Sequence, residues 1–244
     1  MLITGGSGGI GRATALLAAE RGFSLVLGYA EHAAEAEETA RTIRDRGGRA
    51  VTAQADVRRE ADVLRLFETT DRELGKLDVL VNSAGLAAGQ SAFADMDAAR
   101  IERVILTNVV GTLLCSREAV RRMSTKRGGQ GGAIVNLSSA AARLGSPNEY
   151  VDYAASKGAV DTFTVGLARE VGPEGIRVAA VRPGIIATDF HARAGEPGRA
   201  ARLASTIPSR RAGTAEEVAA AVLWLASPEA AYCTGALLDQ SGGR

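Results

Sequence analysis

The sequence contains few of the residues that metal sites and disulfide frameworks require. Among its 244 residues there are two cysteines and two histidines. Cys115 and Cys233 lie far apart in apolar surroundings, so we expect reduced thiols in the core, as is usual for a cytoplasmic protein. Neither His32 nor His191 stands near a cysteine, and we therefore expect no metal site.

Charge and hydropathy argue against two further kinds of partner. The formal net charge is +1, which gives no reason to expect binding to nucleic acid or to an anionic membrane. No stretch reaches the roughly 18 apolar residues that a membrane span needs. Met1 is followed directly by Leu2 and Ile3, without the charged segment that begins a signal peptide, so we expect no signal peptide. We therefore expect a cytoplasmic protein.

Glycine, by contrast, is abundant, with 29 residues, and short apolar runs alternate with longer amphipathic segments. The predicted strands are 2–4, 25–28, 50–54, 79–82, 133–137, 178–181 and 236–238. The predicted helices are 11–21, 33–46, 60–74, 98–123, 153–171 and 215–226. This order predicts an α/β fold with a parallel sheet of about seven strands and helices on both faces. No break in composition divides the chain, so we expect a single domain over 1–244.

A glycine-rich loop joins the first predicted strand to the first predicted helix. Residues 4–11 read Thr-Gly-Gly-Ser-Gly-Gly-Ile-Gly. Glycines allow the backbone to turn sharply and to approach a pyrophosphate closely, and the following helix N-terminus favours the negative charge. At the first strand–helix junction of an alternating chain, this loop predicts dinucleotide binding rather than a structural turn.

The residues after the second predicted strand leave the kind of dinucleotide open. An acidic residue there would bind the adenosine ribose of NAD, and a nearby arginine would accept the extra phosphate of NADP. Tyr29 occupies the place of the acidic residue, Glu31 follows slightly later, and no arginine is near in the sequence.

Polar residues also follow the third, fourth and fifth predicted strands. Asp56-Val57 and the Asn-Ser-Ala-Gly sequence at 82–85 lie where open α/β sheets bind ligands, although Asp56 is equally well explained as a helix cap. Asn108 lies in an apolar helix, where its amide needs a hydrogen-bond partner and helix backbone would suffice. Ser138 and Ser139 directly follow the fifth predicted strand, and a role as turn formers alone would explain them.

Tyr153 and Lys157 lie four residues apart, on the same face of a predicted helix. A free tyrosine has a pKa of about 10, and a close cation lowers it by about one to three units. The pair is therefore a candidate for proton transfer to or from an alcohol or carbonyl. On its own, a packed ring beside a solvated charge is the favoured interpretation of the pair, but Asn108 and Ser139 could converge with it at the carboxyl edge of the sheet.

In this order, the motifs TGGSGGIG, Asp56-Val57, NSAG, Asn108, Ser139, YAASK and Pro183-Gly184 with Thr188 resemble those of the short-chain dehydrogenases/reductases. The resemblance covers nearly the whole chain and is strongest to glucose-dehydrogenase-like and β-ketoacyl-carrier-protein-reductase-like members. It implies a Rossmann-type doubly wound parallel sheet and an NAD(P)-dependent oxidoreductase that interconverts a secondary alcohol and a ketone or aldehyde. The alternative is a catalytically silent dinucleotide-binding regulator or scaffold of the same fold.

The resemblance also implies roles for individual residues. Tyr153 would be the catalytic acid/base, Lys157 would lower its pKa and bind the nicotinamide ribose, Ser139 would hold the substrate oxygen, and Asn108 would support a proton-relay water. The cofactor-binding residues that it implies are Gly5, Ser7, Gly9, Ile10, Gly11, Tyr29, Asp56, Val57, Asn82, Ala84, Gly85, Tyr153, Lys157, Pro183, Gly184, Ile186 and Thr188.

Two positions depart from the family pattern. Gly8 stands where NADP-preferring relatives commonly have a basic residue, and Ser83 replaces a usual second asparagine. Because an acidic residue that would repel the extra phosphate is also missing, NADP(H) is slightly favoured, with NAD(H) possible.

The family further implies a homotetramer and a small-molecule carbonyl or alcohol substrate. The segment after Pro183, approximately 185–212, is expected to be a lid over the substrate. Its basic residues are His191, Arg193, Arg199, Arg202, Arg210 and Arg211. An anionic substrate would account for them, but a solvated basic face balanced by Glu196 is the favoured interpretation.

Overall fold

One sheet of seven parallel strands organises the computed structural model, which describes residues 1–244. The strands are β1 Leu2–Thr4, β2 Leu25–Tyr29, β3 Ala50–Gln54, β4 Val79–Asn82, β5 Gly132–Leu137, β6 Ile176–Pro183 and β7 Leu237–Gln240. Their order across the sheet is β3-β2-β1-β4-β5-β6-β7, and each neighbouring pair is parallel. The chain therefore winds outward from β1 first in one direction and then in the other, which confirms the predicted doubly wound fold.

Ten helices accompany the strands. They are α1 Gly9–Glu20, α2 Ala33–Asp45, α3 Glu60–Leu74, α4 Ala98–Ile105, α5 Gly111–Met123, α6 Ala141–Leu144, α7 Val151–Val171, α8 Phe190–Arg193, α9 Arg199–Leu203 and α10 Ala215–Ala226. The short helices α6, α8 and α9 were not predicted, because four or five residues are too few to show a helical period. No helix combines the length and the apolar character needed to cross a membrane.

The core has two parts, one on each face of the sheet. Side chains alternate along β1, so Ile3 packs in one cluster with α1, α2 and α10, and Leu2 packs in the other with α3, α5 and α7. The helices predicted at 11–21, 33–46 and 215–226 thus share one face. Both faces are covered, as the near-continuous apolar strands predicted.

The predicted helix 98–123 is not uniform. A π-helical segment, Leu106–Val110, separates α4 from α5 and contains Asn108. The wider turn is invisible to sequence periodicity, because it inserts about one residue without changing the apolar pattern on either side. Such segments are rare and often occur at functional sites, which directs attention to Asn108.

Candidate active site

The glycine loop is held against the loop that follows β4. Gly5 has a φ of +69°, and a Cβ on it would lie 2.9 Å from the backbone N and Cα of Ala84. The hydroxyl of Thr4 accepts hydrogen bonds from the N–H groups of Ser83 and Ala84 at 3.2 and 3.1 Å. Gly11 lets the start of α1 lie close to Gly5, because a Cβ on Gly11 would be 2.2 Å from the Gly5 carbonyl oxygen. Only glycine fits at these two positions.

The end of β5 positions α7 and its two functional side chains. The Nζ of Lys157 donates to the Leu137 carbonyl oxygen at 2.7 Å, and the Ser138 hydroxyl donates to the Lys157 carbonyl oxygen at 3.3 Å. The Oγ of Ser139 accepts a hydrogen bond from the N–H of Ala141 at 3.1 Å. Lys157 Nζ lies 5.6 Å from the centre of the Tyr153 ring. Tyr153 and Lys157 thus face the same site, and Ser138 attaches α7 to the end of β5.

Burial dominates the ionisation of both α7 side chains. It raises the pKa of Tyr153 to about 12, with a smaller opposing effect from Ser139. It lowers the pKa of Lys157 to about 8, opposed by the carboxylate of Asp161 one turn further along α7. The lowering of the Tyr153 pKa by Lys157, which the resemblance implies, stays a prediction: in this structure burial raises that pKa, and the ammonium of Lys157 is hydrogen-bonded to Leu137.

Asn108 uses its whole side chain to hold neighbouring segments together. Its amide nitrogen donates to the Leu86 carbonyl oxygen at 2.9 Å and to the Ser156 hydroxyl at 3.0 Å. Its amide oxygen accepts from the N–H of Leu86 at 2.9 Å. The partners are thus a loop and α7, rather than the helix backbone that the sequence allowed. This contact joins the π-helical segment to the helix that contains Tyr153.

A cavity of about 280 Å³ lies between these elements, close to the lower end of the roughly 300–1,000 Å³ usual for small-molecule sites. The predicted site residues that line it are Gly5, Ser7, Gly9, Ile10, Ala84, Gly85, Ser139, Tyr153, Lys157, Pro183, Gly184, Ile186 and Thr188. Side chains from β5, α7 and the segment after β6 therefore converge with the glycine loop, as the sheet topology requires.

Six predicted site residues lie outside this cavity: Gly11, Tyr29, Asp56, Val57, Asn82 and Asn108. Asn82 donates to the Ser116 hydroxyl at 3.0 Å and to the Asn136 side chain at 2.9 Å, below the sheet edge. Val57 packs so closely against Gly111 that a Cβ on Gly111 would lie 2.6 Å from the Cγ2 atom of Val57. Buried hydrogen bonds hold Asn82 and packing holds Val57 in these positions, and their roles as cofactor contacts stay predictions.

An arginine does lie near the ends of β2 and β3, contrary to the sequence expectation. The guanidinium of Arg58 binds both carboxylate oxygens of Asp56, with Nε–Oδ1 2.9 Å and Nη2–Oδ2 2.6 Å. This hydrogen bonding holds the pKa of Asp56 below its usual value. Glu31 acts electrostatically on the same guanidinium and raises its pKa, after the larger effect of Asp56. The sheet brings Arg58 to this position by pairing β2 with β3.

The segment 185–212 covers Tyr153 and is fastened at its far side. The ring of Phe190 lies 5.9 Å from the ring of Tyr153. Arg199, only 5% exposed, binds Glu149 with an Nη1–Oε1 distance of 3.0 Å and lies 5.1 Å from the centre of the Tyr150 ring. The predicted solvated basic face is therefore wrong for Arg199, which is buried. Other arginines of this segment are paired with carboxylates: Arg193 with Asp189, Arg202 with Glu196, and Arg211 with Glu217.

A second buried ion pair was not predicted, although it adjoins Tyr153. Asp152, with a side chain 1% exposed, receives two hydrogen bonds from Arg100 at 2.9 and 3.2 Å. The same guanidinium donates to the Gly89 carbonyl oxygen at 2.6 Å. Arg100 thus connects α4, the loop after β4 and the start of α7. In the sequence this ion pair is indicated only by Asp152, a charged residue directly before Tyr153, and such a residue is too common to interpret.

Comparison with known proteins gives similarity along the whole chain. The model of a family described as enoyl-(acyl carrier protein) reductase matches residues 5–244. The chain is 53% identical over 243 residues to the uncharacterized oxidoreductase YgfF of Escherichia coli, covering 100% of this chain and 98% of that protein. It is 39% identical over 242 residues to cis-4-hydroxycyclohexanecarboxylate dehydrogenase of Sinomonas cyclohexanicum, covering 99% and 94% respectively.

Solved structures show the same architecture. A 3-ketoacyl-(acyl-carrier-protein) reductase from Brucella melitensis complexed with NADH has a TM-score of 0.92 at 32% identity, covering 100% of this chain and 96% of that one. A short chain dehydrogenase from Burkholderia cenocepacia in complex with NADP has a TM-score of 0.88 at 33% identity, covering 99% and 96% respectively.

The depressed pKa of Lys157 predicts a stability that depends on pH. An unfolded lysine has a pKa of about 10.4, whereas the folded value is about 8. Between these values the unfolded state binds more protons than the folded state, so the free energy of unfolding rises with pH. We expect the free energy of unfolding of the wild type, minus that of Lys157→Met, to increase by about 2 kcal/mol from pH 8 to pH 10.

Urea unfolding at several pH values measures this difference. The window ends at pH 10 because the raised pKa of Tyr153 acts above it with the opposite sign: the folded state then retains a proton that the unfolded state has lost. Lys76→Met, which removes a lysine with a mostly exposed side chain, serves as the control for the loss of an ammonium. A difference between wild type and Lys157→Met that does not increase from pH 8 to pH 10 would contradict the depressed pKa of Lys157.

Proposed function

Because the chain belongs to the short-chain dehydrogenase/reductase family of oxidoreductases, we propose that Tyr153 transfers the proton in its reaction. Members of this family interconvert alcohol and carbonyl groups with a nicotinamide dinucleotide. The single observation that supports the assignment is that Tyr153, Lys157 and Ser139 line the same cavity as the glycine loop. The dinucleotide, when bound, supplies or accepts the hydride.

The residues of this chain fit such a cofactor. Gly5 and Gly11 leave space where any Cβ would collide, which lets the backbone of residues 5–11 approach a pyrophosphate. The N-terminus of α1 favours the negative charge there. We propose that Lys157 and Thr188 bind the nicotinamide half of the dinucleotide, and that Asp56 and Val57 bind its adenine half.

The proton chemistry follows from the environment of Tyr153. With its pKa raised to about 12, the phenol is protonated at neutral pH and is ready to donate to a carbonyl oxygen as that oxygen becomes negative. The Ser139 hydroxyl donates a second hydrogen bond to the same oxygen. For alcohol oxidation the phenolate must form, and the ammonium of Lys157 stabilises it by its charge.

Removal of the phenol oxygen tests this assignment. We expect Tyr153→Phe to lower kcat by about a hundredfold or more, because proton transfer by a positioned group contributes about 10²–10⁴-fold. Dinucleotide affinity and the free energy of unfolding should stay within experimental error of wild type, since the ring remains. Steady-state kinetics and fluorescence titration with the reduced dinucleotide measure the two effects. Normal turnover by this variant would refute the role of Tyr153.

Cofactor choice is proposed to favour NADP(H) slightly over NAD(H). Tyr29 carries no charge to repel a ribose phosphate, and Arg58 lies close to the same strand ends, whereas Glu31 acts against a phosphate. Titration of the purified protein with each reduced dinucleotide should give the lower dissociation constant for NADPH. Tenfold or tighter binding of NADH would contradict this preference.

The substrate is proposed to be a small secondary alcohol or its ketone. The relative from Sinomonas cyclohexanicum is named for a hydroxycyclohexanecarboxylate, which agrees with the size of the cavity. A screen of sugars, cyclic hydroxy acids, simple ketones and β-ketoacyl thioesters with both dinucleotides would identify the class. Dinucleotide binding without turnover of any of these would favour a regulator. Reduction of an enoyl thioester alone would contradict carbonyl chemistry.

The protein is proposed to be a cytoplasmic homotetramer. The exposed large apolar side chains include Leu106 and Leu113 around the π-helical segment, and Trp224 and Tyr232 near β7, with Tyr232 fully exposed. Exposed apolar side chains near a long helix and the last strand suit the contacts of a tetramer built on those elements. Sedimentation equilibrium should give a mass four times that of one chain. A single-chain mass at micromolar concentration would contradict the assembly.

A further inference from the structure

The glycine loop itself contributes no cation to a bound phosphate. Residues 4–11 contain neither lysine nor arginine, and Gly8 has no side chain at all. The loop therefore offers a pyrophosphate only backbone N–H groups, the hydroxyl of Ser7 and the N-terminus of α1. A dinucleotide brings two negative phosphates to this point, so any cation beside them must come from elsewhere in the fold.

Arg193 of α8 supplies such a cation. Its Nη2 atom lies 3.3 Å from the point that a Cβ on Gly8 would occupy, so the guanidinium rests directly on the loop. Arg193 and the glycine loop line the same cavity. The space left by the missing side chain of Gly8 is thus partly filled by an arginine from the segment 185–212.

In the structure this guanidinium is paired with Asp189, whose carboxylate also lies on the glycine loop. Its Oδ2 atom is 3.7 Å from the Cβ position of Gly8, and its Oδ1 atom is 3.8 Å from that of Gly9. An anionic group therefore already lies at the N-terminus of α1, with a guanidinium beside it.

The ion pair between Arg193 and Asp189 is easily exchanged for a contact with another anion. The side chains of Arg193 and Asp189 are 43% and 49% exposed. Exposed ion pairs contribute little to stability. The pyrophosphate of a dinucleotide carries two negative charges, one on each phosphate, whereas the Asp189 carboxylate carries one. Arginine binds both kinds of oxyanion in a bidentate manner, so the pyrophosphate competes well for the same guanidinium.

We propose that Arg193 is a ligand of the dinucleotide pyrophosphate and exchanges Asp189 for it on binding. The inference rests on the proposed dinucleotide cofactor and extends it to a residue outside the glycine loop. Since Arg193 belongs to the segment 185–212, the same exchange fastens this segment over Tyr153. Asp189, in turn, competes with the phosphate for the site.

Two single variants break the same ion pair and should have opposite effects on affinity. We expect Arg193→Gln to raise the dissociation constants of NADH and NADPH by roughly tenfold, as for a lost hydrogen bond to a charged group. We expect Asp189→Asn to lower both constants, because it removes a competing negative charge. Arg202→Gln is the matched control, since Arg202 lies in the same segment, pairs with Glu196 and does not line the cavity. Its constants should equal those of wild type.

Fluorescence titration at low ionic strength measures these constants, and a second measurement follows the segment itself. Chymotrypsin cleavage after Phe190 should slow when either dinucleotide is added to the wild type or to Arg202→Gln, but not when it is added to Arg193→Gln. Urea unfolding of all variants separates lost affinity from lost stability.

Each other outcome has a definite meaning. If both ion-pair variants change affinity in the same direction, the pair is only structural and the inference is wrong. A loss of affinity for NADPH alone would place Arg193 at the ribose phosphate and would also overturn it. Unchanged affinity in Arg193→Gln, with normal binding by wild type, rejects the role of Arg193 and leaves the proposed function intact. Failure of the wild type to bind either dinucleotide would reject the proposed function itself.

Discussion

The attachment of α7 to the end of β5 is the constraint on which the rest of the site depends. A lysine ammonium is buried there with the Leu137 carbonyl oxygen as its hydrogen-bond partner, and burial lowers its pKa to about 8. Such a group costs free energy in the folded state, and the apolar cores on both faces of the sheet must offset that cost. The lysine lines the same cavity as the Tyr153 phenol and the Ser139 hydroxyl. Ionisable groups that are costly to bury occur mostly at functional sites.

Around this attachment, the loop after β4 acts as the common anchor. Thr4 binds it from β1, Asn108 binds it from the π-helical segment, and Arg100 binds it from α4. Two of these contacts continue to α7, through Ser156 and through Asp152. The glycine loop and the helix that contains Tyr153 are therefore joined by a short series of polar contacts through the loop after β4.

That segment has a different character. Its charged contacts with the rest of the molecule include the buried Arg199 on Glu149, the exposed Arg193 and Asp189 on the glycine loop, and Arg211 on Glu217. The buried contact is costly to break, whereas the exposed contact on the glycine loop is easily exchanged. Such an arrangement lets the part around Arg199 remain fixed while the part around Arg193 responds to an anionic ligand.

Much of the fold was accessible from the sequence, because apolar runs and glycine positions are local signals. The seven strands, the two-faced sheet and the convergence of Ser139, Tyr153 and Lys157 all follow from periodicity and from the rule that parallel strands end at one edge. The sequence could not show that Asn82 and Val57 lie outside the cavity, Asn82 in buried hydrogen bonds and Val57 packed against Gly111. It also missed Arg58 at the end of β2, since the two are neighbours only through pairing of β2 with β3.

By itself, then, the sequence determined the architecture, the family and the chemical types present at the site, because these depend on residues close together in the chain or on strand order. The tertiary structure alone decided the ionisation of Tyr153 and Lys157, the partners of Asn108 and the position of Arg193 over Gly8. Each of these depends on distances of a few ångströms between segments far apart in sequence, and on how much water the folded chain excludes from between them.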